Sequence, residues 1–177
     1  MAQEKKHWDS HHNIKLAIWI GFWALLLSMV VLLFEGILES ERNPNTNPET
    51  AFSDGAREVV LKRNRYGHYN VTGYINGEEV EFLVDTGATD ISVPQHIAEQ
   101  IGLQRLYEVR FDTANGTAMG YATRLASVQI GNIQLQELSA SINPNVDDST
   151  VLLGMSFLKK IEFTQRGDTL ILRQYEY

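Results

Sequence analysis

From Leu16 to Phe34 the chain reads LAIWIGFWALLLSMVVLLF, an apolar run without one charged side chain. At the rise of an α-helix such a run is long enough to cross the hydrocarbon core of a bilayer. The competing reading, a cleaved signal peptide, calls for a shorter apolar region and a small-residue cleavage site, which the following FEGILESER does not offer. The pattern therefore predicts an uncleaved membrane anchor over 16–35. Lys5, Lys6 and Lys15 precede it, against Arg42 alone close behind, so residues 1–15 are expected to form a cytoplasmic stub. Everything after Glu35 then lies outside. Ala17, Gly21, Ala24 and Ser28 share one face of the helix, a spacing that lets two helix backbones approach, although four small residues can also align by chance.

Behind the span the pattern changes twice. Residues 36–56, centred on ESERNPNTNPET, combine prolines and asparagines with no apolar period, which predicts a flexible tether. From residue 57 to 177 the period becomes two. YNVTGYINGEEVEFLV holds two β-rich runs around Asn76 and Gly77, a dipeptide suited to a tight hairpin, and the second run leads directly into Asp85. After Pro94, QHIAEQIG places Ile97 and Ile101 four apart and ends on Gly102, predicting a helix of two turns at most. Tyr107, Val109 and Phe111 then alternate with Glu108, Arg110 and Asp112 up to a second hairpin tip at Asn115 and Gly116. A third hairpin is expected at Gly131 and Asn132. VLLG reads as a short buried strand, SFLKK as a helical turn, and IEFT with TLILR as a closing strand pair. The predicted class is all-β, with one or two short helices, behind one transmembrane helix.

Composition narrows the chemistry by exclusion. The formal net charge is -7 and the second half has no basic stripe to neutralise a phosphate backbone, so nucleic acid is not an expected partner. There is no cysteine, which removes disulfides and thiolate metal sites. His7, His11 and His12 lack a spacing that fixes a metal geometry, and Asp147 with Asp148 lacks the glycine and spaced oxygens of a calcium loop. Neither His68 nor His96 has a partner at a spacing that nominates it as a base. No metal and no cofactor is expected.

What remains is FLVDTGATDISVP, where a buried run ends on Asp85, Thr86 and Gly87. The bare triplet occurs by chance in roughly a few per cent of chains this long. Its setting is more specific: an apolar strand before it, Ala88, Thr89 and an apolar ISV after it, the TANGT hairpin, and LLGMSFL further on, in that order. In these residues the chain resembles the retropepsin-like aspartic proteases, and most closely the bacterial membrane-anchored ones.

The resemblance implies a retropepsin-like half-barrel with a flap hairpin. It implies Asp85 as the catalytic aspartate, Thr86 as the residue whose hydroxyl ties two active-site loops together, and Gly87 as the residue that lets backbone amides approach the carboxylates and substrate. Ala88, Thr89 and Asp90 correspond to the substrate-binding rim, and Ala114, Asn115, Gly116 and Thr117 to the flap over bound peptide. Leu153 and Gly154 correspond to the strand crossing behind the loop. Retroviral proteases usually place two acidic residues where this chain has Thr89 and Asp90, so Asp90 is read equally as a subsite residue or a solvated one. Peptide hydrolysis by this route needs two carboxylates sharing one proton, and a single triplet supplies one. A homodimer with Asp85 from each subunit is therefore expected, acting on peptide or protein substrates near the membrane, with the domain periplasmic or otherwise extracytoplasmic. The rival reading is a non-catalytic membrane-tethered peptide-binding module on the same fold.

Overall fold

The structure is a computed structural model that describes residues 10–113 and 116–175. Residues 1–9 of the expected stub, and Ala114 and Asn115 of the expected flap tip, lie outside the described residues. The first element is α1, Ser10–Arg42. Within it Ile14–Phe34 is long and apolar enough to cross a membrane, with a mean hydropathy of 2.5. The chain divides into two compact units, Met1–Glu39 and Ser40–Tyr177.

That division corrects the flexible tether expected over 36–56. Instead of a loose linker, helix α1 continues to Arg42, and β1 (Glu49–Ser53) pairs along its whole length with β2 (Ala56–Lys62). The folded unit starts at Ser40, well before the expected residue 57. Two asparagines hold the entry. Asn43 and Asn45 are each 2% exposed. The Asn45 side chain donates to the carbonyls of Lys62 and Asn70 and accepts from the Lys62 amide. Asn43 donates to the Thr72 hydroxyl at 3.1 Å, and Asn64 donates to the Arg42 carbonyl at 2.9 Å. Residues that look like linker in composition here satisfy backbone groups of neighbouring strands, and buried backbone groups demand such partners. β1 itself is exposed at every position, so it carries no amphipathic signal. The one local clue is Asp54-Gly55, both at positive φ (53° and 74°), which closes the β1–β2 hairpin.

The remaining strands form two sheets. The smaller has the order β1-β2-β11-β10, where β10 is Glu162–Arg166 and β11 is Thr169–Tyr175. The larger has seven strands: β3 (Asn70–Ile75), β4 (Glu78–Val84), β5 (Ile91–Pro94), β6 (Glu108–Thr113), β7 (Gly116–Ile130), β8 (Ile133–Asn143) and β9 (Thr150–Leu153). Their order is β3-β4-β9-β5-β8-β7-β6. The expected hairpins at Asn76-Gly77 and Gly131-Asn132 are present, the first with both residues at positive φ. The two short helices are α2 (Gln95–Gln100) and α3 (Met155–Leu158).

One core joins both sheets. Val59, Leu61, Leu170 and Leu172 of the smaller sheet cluster with Val71, Phe82, Leu125, Ile142, Val151 and Leu153 of the larger. Phe82 is fully buried and lies in register with Val151. Burial of such a side chain stabilises the fold by about 2–3 kcal/mol. The consequence for function is positional: β4, which leads into Asp85, is anchored from its middle.

Candidate active site

Strands β4 and β5 are consecutive in the chain but not neighbours in the sheet, because β9 runs between them. β9 is parallel to β4, with Leu83 opposite Leu152 and Val84 opposite Leu153, and it touches β5 at Ser92. The loop 85–90 must therefore step over the end of β9. Leu153 is fully buried, and its carbonyl accepts the Asp85 amide at 3.2 Å, which fixes where the carboxylate leaves the sheet.

The loop is braced by the first residues beyond β9. The amides of Met155 and Ser156 donate to the carbonyls of Ala88 and Thr89, at 2.8 and 3.0 Å. Ser156 is 3% exposed, and its hydroxyl accepts the Ile91 amide at 3.0 Å. Gly154 lies against the loop backbone: a Cβ there would stand 2.7 Å from the Ala88 carbonyl oxygen and closer still to that of Asp90. Both obstacles are backbone, so neither swings aside. Gly154→Ala is expected to destabilise the domain by about 1–3 kcal/mol, read as a lowered urea midpoint with the full-length chain in detergent. An unchanged midpoint would show that the loop is not packed this tightly.

Within the loop, Asp85 is half-buried and its Oδ1 accepts the Gly87 amide at 2.8 Å. A Cβ on Gly87 would stand 3.1 Å from that oxygen, so glycine leaves the approach open. Among the described residues the second carboxylate oxygen takes no hydrogen bond. Thr86 is exposed, and its hydroxyl has no partner among the described residues. Asp90, half-buried, accepts a hydrogen bond from the Ser139 hydroxyl at 3.0 Å, a partner that sequence reasoning missed. Ser139 and Ser156 carry no local signal, since each reaches the loop from a strand or helix distant in sequence.

The flap-like hairpin is β6 with the first part of β7, in register from Glu108 opposite Tyr121 to Thr113 opposite Gly116. Thr117 is exposed. Thus Asp85, Thr86, Gly87, Ala88, Thr89 and Asp90 form one loop over Leu153 and Gly154. The structure brings these residues together; Ala114 and Asn115 fall outside what it describes.

This architecture has relatives. The family described as "gag-polyprotein putative aspartyl protease" matches residues 71–160, from β3 through α3. The chain is 35% identical over 170 residues to an uncharacterised protein encoded in the cobV 5′ region of a Sinorhizobium species, covering 90% of this chain and 72% of that protein. It is 30% identical over 164 residues to an uncharacterised protein of Rickettsia prowazekii (strain Madrid E), covering 89% and 70%. Both matches exceed the span of the folded unit and so reach into the apolar helix. Among solved structures it resembles a retropepsin-like aspartic protease from Rickettsia conorii, with 28% identity and a TM-score of 0.56 over 73% of this chain and 95% of that one. The matched range 71–160 contains the Asp85 loop and β9, and the chain belongs to the gag-type aspartyl protease family, with a retropepsin-like fold.

Proposed function

We propose that the protein is a membrane-anchored aspartic endopeptidase whose active site is completed by Asp85 of a second copy. The observation that carries this reading is the state of Asp85: half-buried, one oxygen held by the Gly87 amide, the other without a partner among the described residues. That is the arrangement expected of a carboxylate that shares a proton and a water with a second acid. The exposed Thr86 hydroxyl is likewise available to a facing loop.

In the reaction, one carboxylate takes a proton from water as its oxygen bonds to the peptide carbonyl carbon, while the protonated partner donates to the carbonyl oxygen. The tetrahedral intermediate then collapses, the C–N bond breaks, the leaving nitrogen takes the proton that the first carboxylate removed from water, and a hydroxyl proton of the intermediate returns to the second carboxylate, giving an acid and an amine. Because the pair must hold one proton, activity should be bell-shaped in pH.

The span Ile14–Phe34 supports anchoring, and Lys5, Lys6 and Lys15 support an extracytoplasmic domain. Only residues 35–39 lie between the span and the folded unit in the chain. Substrates are accordingly membrane-proximal segments of other proteins.

The test is peptide-library cleavage by the full-length chain in detergent across a series of protein concentrations. The rate per subunit is expected to climb with concentration and level off as the dimer saturates. A rate per subunit that stays constant while sedimentation shows the dimer dissociating would exclude the shared site.

A further inference from the structure

A groove of about 750 Å³ opens between the flap-like hairpin and the loop that leaves β8, and Asp85 does not line it. Its walls include Glu108, Met119 and Tyr121 from the hairpin and Asn143, Asn145 and Val146 from the loop. Glu108 stands opposite Tyr121, and Arg110 opposite Met119, so the side chains of these pairs share one face of the hairpin. The loop is fixed to that hairpin: the Asn145 side chain donates to the Met119 carbonyl at 3.3 Å, and the Asn145 amide to the Asn143 side chain at 3.0 Å.

Glu108 is the one formal charge among the lining residues and is exposed, and its carboxylate makes no ion pair or hydrogen bond among the described residues. No ion pair joins Glu108 to Arg105 or Arg110 among the described residues. Arg105 lies over the Tyr121 ring at 4.7 Å but is paired with Glu99 at 2.9 Å, and Arg110 stays outside the lining. Met119, Tyr121, Pro144 and Val146 give the lining apolar surface, and Thr117, Asn143 and Asn145 are its uncharged polar members. A free carboxylate at one point of such a wall suits a side chain with a long aliphatic stem and a cationic head.

We propose that this groove is a substrate subsite for a lysine or arginine side chain, with Glu108 as its counter-charge. It deepens the endopeptidase reading and rests on it, placing the preference at a residue removed from the bond cut. The net charge of -7 favours the same class of basic peptide.

The test uses the full-length chain in detergent and paired peptides that differ only by lysine or norleucine at each position flanking the cut. The wild type is expected to favour lysine at one position by about fivefold to tenfold in kcat/KM. In Glu108→Gln that ratio should fall to near one, and in Glu108→Lys glutamate should be favoured over lysine. A lysine ratio that survives in Glu108→Gln, or that never rises above one in an active wild type, overturns the subsite while leaving the protease standing. Fluorescence anisotropy separates the two ideas: labelled lysine peptide should bind Asp85→Asn, and bind about fivefold to tenfold more weakly when Glu108→Gln is added. If the wild type cuts nothing but this Glu108-dependent binding is seen, the subsite holds and the protease reading falls.

Discussion

Asp85→Asn in the full-length chain is expected to lower peptide hydrolysis by at least about 10³-fold, because an amide neither takes the proton from water nor shares one with its partner. The fold should be untouched. The substituted oxygen still accepts the Gly87 amide, and the backbone bond from Asp85 to Leu153 does not involve the side chain. The unfolding midpoint therefore serves as the control. Mixing gives a sharper result. When equal amounts of wild type and Asp85→Asn exchange subunits at random, only about a quarter of the dimers carry two aspartates. If both carboxylates are needed, activity should fall to roughly a quarter of an all-wild-type sample, whereas sites confined to single subunits would retain roughly half. The second figure would exclude a shared dyad.

Asn45→Ala should be a strongly damaging change at a polar position away from the site. The side chain lost makes three hydrogen bonds at a position 2% exposed, and the Lys62 amide and the Lys62 and Asn70 carbonyls lose their partner. Losing one buried and two part-buried hydrogen bonds makes about 3 kcal/mol the expected total. The measurement is urea unfolding by circular dichroism, with amide exchange at Lys62 as a local check. The same reasoning predicts that a chain beginning at residue 57 is poorly folded, since it lacks β1 and both entry asparagines. Equal stability of the chains beginning at residues 40 and 57 would show the segment to be a mere passenger.

The contrast between these two sites shows where sequence reasoning reaches and where it stops. Asp85 is legible because strand, triplet and the later LLG form local patterns, and the turn chemistry of Asn76-Gly77 and Gly131-Asn132 marks the hairpins without reference to any tertiary contact. The family and the retropepsin-like fold, implied by the resemblance that the triplet and the later LLG motif carry, agree with the comparisons. Asn43 and Asn45, by contrast, read as linker and are not. An asparagine in a loose loop and one that bridges two strands look identical in composition, and only the arrival of Lys62 and Asn70 decides between them. Glu108 is a similar case: alternation sets it against Val109 and Phe111 in the pattern, but does not place it beside Asn143 and Val146.

By itself the sequence determined the apolar span, the period-two domain behind it, the hairpin turns and the acid triplet, because each depends on residues within one or two turns of chain. Tertiary structure alone decided that β9 passes between β4 and β5, that Gly154 and Ser156 brace the loop from beneath, that Ser139 holds Asp90, and that the folded unit begins at Ser40. Those features are contacts between segments far apart in sequence. Their partners are chosen by satisfying backbone hydrogen bonds and filling the core at once, a condition no local pattern encodes.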